Sequence, residues 1–368
     1  PSDRRFLDPV YIDVAALGAD TAAFAALSAR EAVDYTGVWA AKEGALKAAF
    51  AVFSADPDFD RFVAEGGETL RRFAIHQAIA AEHPGKGWRE WPGSLSDVDS
   101  PAVESFAGEH TEAVRFALWQ QWVADRQFAA AAERARAGGL SLGFYRDLAV
   151  GTAPDGAEAW SEASMLMQGV SIGAPPDPLG PEGQNWNLPP FDPLALQRDG
   201  YRGFANLVRA NMRHAGALRI DHVMGLRRLF LIPHGASGAE GAYLAMPFKG
   251  LAGQVALESM RAQCLVVGED LGTVPFGMRD HLADERMLSY RVLWFERQGE
   301  DFAPPSAYPT LAAACVSTHD LPTLAGWWQG VDIEERRALG LEDEASVETA
   351  LAERAREREE LGKALLKE

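Results

Sequence analysis

The stretch ALRIDHVMGLRRLFLIP, residues 217–233, runs from apolar residues into Arg219, Asp221 and His222. A strand often ends where polarity rises, so one such stretch decides little. The arrangement returns in QCLVVGEDLG (263–272) and in AACVSTHDLPT (313–323), where apolar runs again finish on carboxylates. Short, nearly continuous apolar runs separated by helix-like sequence imply α/β alternation, with a parallel sheet covered on both faces. The sheet is expected to be doubly wound or closed into a barrel. In a barrel the carboxyl ends of all strands converge on one face.

The grammar extends outward from these stretches. LSLGFYRDLAV (140–150) and SYRVLWFE (289–296) read as further strands, and PLALQRDGYRGFANLVRANMRHAG (193–216) reads as a crossover helix before the central run. Residues 1–139 read as a mainly helical subdomain. AREAVDYTGVWAAKEGALKAAFAVF and EAVRFALWQQWVADRQFAAAAERARAGG carry apolar residues at three- and four-residue steps, and Gly138 and Gly139 are expected to stop the second helix. Between them HPGKGWREWPGSLSD (83–97) reads as an ordered loop. Residues 140–330 form the expected α/β portion. The remainder, 331–368, is dominated by Glu, Arg, Ala and Leu and reads as one or two solvated helices.

At 368 residues and 47% hydrophobic content the chain can fill a sizeable core. Its net charge of −18 argues against nucleic acid or an anionic membrane as partner and favours a neutral, polar substrate. No run approaches the ~20 apolar residues of a membrane span. The first residues lack the order of a secretory leader, so cytoplasm is the expected compartment. Cys264 and Cys315 both sit in apolar runs and are expected to be reduced. No GxGxxG or Walker loop occurs in a strand-to-helix context.

Asp221, Glu269 and Asp320 each end an apolar run, and intervals of about fifty residues leave room for strand-helix units between them. Glycosidic cleavage needs one carboxylate at the anomeric carbon and one protonated carboxyl for the leaving oxygen. Arg219, two residues before Asp221, shares its strand face and favours an ionised Asp221, whereas Glu269 follows the apolar CLVVG, which suits a protonated acid. Carboxylate metal binding and ordinary strand-end charge are the alternatives at this point. The spacing lacks HExxH or CxxC, and no metal is expected. A long Pro- and Gly-rich segment, GAPPDPLGPEGQNWNLPP (173–190), excludes a regular helix. Its Asp177, Asn185 and Trp186 offer polar atoms and a flat ring for a sugar.

RRFLDPVYIDV, VDYTGVWAAKEGALKAAF, WREWP, GFYRDLAVG, GVSIGAPPDPLGPEGQNWNLPPFDP, ALRIDHVMGL, VVGEDLGTVP and VSTHDLPT together resemble the 4-α-glucanotransferases, or amylomaltases, of the α-amylase clan. The resemblance implies a (β/α)8 TIM-type barrel with a helical insertion and no cofactor. It further implies retaining transfer of α-1,4-glucan segments between maltooligosaccharides and sugar acceptors through a covalent glycosyl intermediate. Position by position, Asp221 resembles the nucleophile, Glu269 the general acid/base and Asp320 the transition-state stabiliser. Arg219, His319 and Asp147 resemble donor-sugar contacts, with Asp155 competing for the last role; His222 is expected to support rather than react. Asp177, Asn185 and Trp186 fall in a glucan-binding loop, 169–193. The family ordinarily has barrel strands before RRFLDPVYIDV and after the acidic helices, so the barrel is expected to be incomplete at both ends of this chain. DHVMGL also departs from the DHFRG form of some relatives.

Overall fold

The computed structural model describes residues 2–176, 182–299 and 301–366. Asp177 lies outside the described residues. The chain divides into two compact units, Pro1–Asp221 with Gly225–Leu265, and His222–Met224 with Val266–Glu368.

Helices dominate the first unit up to Ala137, for local reasons. Asp34 accepts the Gly37 N–H to cap Tyr35–Ala51, and Asp56 caps Pro57–Glu82 with Pro57 in the first turn. Thr111–Ala137 ends at Gly138, and Gly139 takes φ 98°, as the sequence leads one to expect. Leu46, Phe50, Phe59, Trp119 and Trp122 form one core between these helices. The Trp-rich loop is ordered because Trp88 and Trp91 are buried beside Trp160, and the Trp88 indole donates to the Pro154 carbonyl at 3.0 Å.

Three strands begin the α/β portion: β1 (Phe144–Leu148), β2 (Val170–Ala174) and β3 (Gln184–Leu188). They are followed by β4 (Ala215–Ile220), β5 (Arg228–Pro233) and β6 (Ala242–Ala245). β1 and β4 are parallel, with Asp147 opposite Arg219. The crossover before β4 is two helices rather than one, Pro193–Arg198 and Arg202–Met212. Gly200 and Tyr201 both take positive φ between them and break the run.

A four-stranded antiparallel sheet, in the order β3, β2, β5, β6, was not anticipated from the sequence. RLFLIP, which trails the deciding stretch, is its strand β5, and the Pro- and Gly-rich segment carries the end of β2 and all of β3 among its described residues. Gly173 explains the close pairing: a Cβ there would lie 2.1 Å from the Gln184 carbonyl oxygen.

In the second unit β7 (Leu265–Gly268), β8 (Leu288–Val292) and β11 (Ala312–Cys315) run parallel. Between them β9 (Arg297–Gln298) and β10 (Asp301–Phe302) form a short antiparallel pair. Val267, Tyr290 and Val292 make the core under the parallel strands. The acidic C-terminal helices, Val331–Ala338 and Glu344–Leu366, are not simply solvated. Leu361 and Ala364 pack with Phe302 and Trp327, and Arg354 donates to Asp332 and to the Trp327 carbonyl. Apolar residues at helical spacing among many charges conceal that buried face. Both cysteines are free thiols.

Strand β4 carries the residues on which the site is built, and its approach to the preceding chain is tight. A Cβ at Gly216 would lie 1.4 Å from the Leu142 carbonyl oxygen. Gly216→Ala is expected to lower stability by about 2 kcal/mol, because the backbone must shift. Urea unfolding checks this, and an unchanged midpoint would show that the approach is not required.

Candidate active site

Arg219 is the last but one residue of β4, and its guanidinium is almost fully enclosed, with 7% of the side chain exposed. One nitrogen, Nη1, donates to both oxygens of Asp147, at 2.8 and 2.9 Å. The other, Nη2, lies 2.9 Å from Asp221 Oδ1. The parallel register of β1 and β4 delivers Asp147 to this position, and Asp221 follows directly from the strand end. The Asp221 N–H donates to the Leu148 carbonyl at 3.0 Å, so the backbone of the carboxylate is tied to the end of β1. Enclosing a guanidinium without partners is costly, and two carboxylates offset that cost while being held in place by it. Asp155, the rival to Asp147, pairs with Arg89 instead.

Past Asp221 the chain stops being a strand. His222 takes φ 47°, in the left-handed region. Strand alternation therefore does not govern where its side chain lies. Its backbone N–H, the N–H of the peptide bond from Asp221, donates to Glu269 Oε2 at 2.8 Å. The Leu271 N–H donates to the other carboxylate oxygen at 2.7 Å. Glu269 is thus buried directly after β7, with both oxygens accepting from peptide N–H groups. Its apolar approach is real in β7, but the carboxylate itself lies in a polar cradle.

The neighbouring Asp270 was not singled out from the sequence, although the acidic doublet in GEDLG was its signal. It is fully enclosed and accepts from Ser289 Oγ at 2.6 Å, from the Tyr290 N–H at 2.8 Å and from Arg279 Nε at 2.8 Å. One carboxylate thereby joins the turn after β7 to β8 and fixes the peptide from which Glu269 projects.

His319 and Asp320 are placed differently from the other candidates. β11 ends at Cys315, so both lie in a loop beyond the strand rather than at its end. They are largely exposed, and His319 Nε2 lies 3.3 Å from Asp320 Oδ2. The loop is shaped locally, by Thr318 Oγ1 accepting the Asp320 N–H and by Ser317 Oγ donating to the Pro322 carbonyl. Asn185 and Trp186 lie in β3; Asn185 Oδ1 accepts the Asn187 N–H, and the Trp186 indole donates to Gln184. Among the described residues no group of His, Cys, Asp and Glu is arranged to hold a metal ion.

A sequence model of 4-alpha-glucanotransferase matches residues 1–368. The chain belongs to that family. It is 39% identical to the 4-alpha-glucanotransferase of Mycobacterium tuberculosis, over 96% of this chain and 52% of the relative. To that of Haemophilus influenzae it is 36% identical, over 92% of this chain and 53% of the relative. The crystal structure of amylomaltase from Corynebacterium glutamicum superposes with a TM-score of 0.86 at 32% identity, covering 99% of this chain and 52% of that one. The likeness bears out the α/β, TIM-barrel-type reading of the fold. The chain spans about half the length of these family members.

Asp270→Ala is expected to cost about 3 kcal/mol of stability, since it leaves the buried Ser289 hydroxyl and the Tyr290 N–H without their acceptor and removes the ion pair to Arg279. Chemical denaturation measures the loss. A variant as stable as the parent would show that Asp270 does not hold the turn after β7.

Proposed function

We propose that this chain carries the catalytic groups of a retaining 4-α-glucanotransferase, moving α-1,4-glucan segments between maltodextrins. The observation that supports this reading most directly is Arg219, which braces Asp221 beside Asp147 at the carboxyl ends of two adjacent parallel strands. Membership of the family supplies the reaction class.

In the proposed reaction Asp221 attacks the anomeric carbon. The bond to the leaving glycosidic oxygen breaks while Glu269 gives that oxygen a proton, so the donor glucan becomes an ester on Asp221. An acceptor sugar hydroxyl then loses its proton to Glu269 and displaces Asp221, which restores the original anomeric configuration. Arg219 pairs with Asp221 and orients it for attack. Asp147, on the other edge of the same guanidinium, is assigned a contact to the donor sugar; Asp320 is assigned as the transition-state stabiliser and His319 as a further donor-sugar contact. Glu269 begins with both oxygens accepting peptide N–H groups, an arrangement that suits a carboxylate.

Trp186 and Asn185 are proposed to offer the glucan an aromatic face and polar atoms, with Asp177 of the same segment assigned to substrate binding, and exclusion of water from the intermediate favours sugar as acceptor. The substrate is neutral, which accords with a chain of net charge −18. No helix among the described residues is long and apolar enough to cross a membrane. A cytoplasmic setting belongs to the same proposal.

Incubation with maltotriose is expected to release glucose and build a ladder of longer maltodextrins. Maltose and glucose without lengthening would favour the rival reading, an α-amylase-like hydrolase; binding without turnover would mark a glucan-binding protein. Asp221→Asn is expected to abolish turnover with an unchanged circular dichroism spectrum, and near-normal disproportionation by this variant would remove the nucleophile assignment. Glu269→Gln is expected to lose most with poor, sugar leaving groups and least with an activated aryl glucoside. Equal losses on both would sink its acid role.

A further inference from the structure

A groove of about 560 Å³ lies wholly within the first unit, bordered by the helices Pro57–Glu82, Thr111–Ala137, Arg202–Met212 and Phe248–Ala262. None of the candidate catalytic or glucan-binding residues lines it. In a chain with 53 acidic and 35 basic residues, its lining is unexpectedly cationic: Arg5, Arg146, Arg209, Arg213 and Arg261 reach it, with His214. The acids present are Glu65, Asp125 and Glu258.

The way these charges pair decides what the groove presents. Glu258 is enclosed, with 1% of its side chain exposed, yet it serves two guanidinia. Arg209 donates to both of its oxygens, and Arg261 Nη1 donates to Oε1 at 2.8 Å. Asp125 is likewise shared, by Arg213 at 2.6 Å and by the His214 ring at 3.0 Å. Arg146 donates to the carbonyls of Ala210 and Arg213 and lies over the Phe128 ring. Each enclosed carboxylate thus sits behind at least one guanidinium: Glu258 behind Arg209 and Arg261, and Asp125 behind Arg213. Arg209, Arg213 and Arg261 keep about half of their side chains exposed. Glu65, on the rim, offsets part of this charge; Arg5 is already occupied by Asp3 and Glu162.

The walls add shape. The helix Pro57–Glu82 breaks at Gly67, where φ is 54° and ψ −148°. It restarts beside the groove, with Gly66 and Thr69 in the lining. The N-terminal end of the restarted helix adds partial positive charge. Phe62 and Leu7 supply an apolar surface. Guanidinium forks match the oxygens of a phosphate, and the volume takes a hexose-sized body beside it. The geometry points to a binding site for a small sugar phosphate, separate from the glucan site and built by Arg209, Arg213 and Arg261.

Isothermal titration of the protein with glucose 6-phosphate, with inorganic phosphate and with glucose tests this. Glucose 6-phosphate is expected to bind saturably and more weakly as salt rises. Inorganic phosphate is expected to bind less tightly, and glucose not to compete. Arg261→Gln leaves Glu258 paired with Arg209, so the fold is kept; it should weaken glucose 6-phosphate about tenfold. Arg213→Ala combined with Arg261→Gln should abolish the binding while maltotriose disproportionation persists. Absence of saturable binding, displacement by glucose, or parental affinity in the double variant would each overturn the site, the last by placing the ligand elsewhere.

Discussion

The arrangement of the candidate site in the first unit rests on a single buried guanidinium. Arg219 sits in a strand that is otherwise apolar and buried, and such a charge is tolerated only with partners on both edges. The partners come from different levels of structure. Asp221 is local, two residues along the chain, whereas Asp147 is supplied by the register between β1 and β4. A slip of one residue in that register would turn Asp147 to the other face and strip the guanidinium of one carboxylate. Strand pairing and site electrostatics are therefore the same constraint seen from two sides, and the tight passage of Gly216 past Leu142 upholds both.

The second unit solves a related problem with two consecutive carboxylates. Glu269 and Asp270 are both buried, yet their partners differ in kind. Asp270 accepts from a side-chain hydroxyl, a peptide N–H and a guanidinium, a full set that binds the turn to β8. Glu269 accepts two peptide N–H groups, one of them reached because His222 takes a left-handed backbone. A carboxylate anchored through three different groups suits positioning.

Much of this was legible in the sequence, and what was not has physical causes. β4 and β7 announce themselves as apolar runs because they are largely buried, and Asp221 and Glu269 follow these strands directly. β2, β3 and β6 are short and partly exposed, and β2 and β3 lie in a stretch whose Pro and Gly content suggests irregular chain, so periodicity gave no warning of the antiparallel sheet. Asp320 reads as a strand end because VSTHD continues the apolar run by composition, although the pairing stops at Cys315. Asp270 was hidden by its neighbour: an acidic doublet does not reveal which member is enclosed, since that depends on Ser289 and Arg279. Arg354 was hidden among many surface arginines; its burial, its bonds to Asp332 and the Trp327 carbonyl, and its guanidinium 4.7 Å over the Trp327 ring distinguish it.

Placing Trp186 in a paired strand, rather than in an irregular loop, changes the energetics expected of a sugar platform. A ring on a free loop must be ordered each time glucan binds, which subtracts from the gain of stacking. Here β3 is paired with β2, the Trp186 indole is already engaged by Gln184, and Asn187 is held at φ 56° by the Asn185 side chain. Much of that ordering cost is met during folding. Gly173 is the residue that permits it, because any side chain there would push the two strands apart where Gln184 lies. The placement of Trp186 thus depends on a glycine one strand away, just as the pairing of Asp147 with Arg219 depends on a register set between two strands.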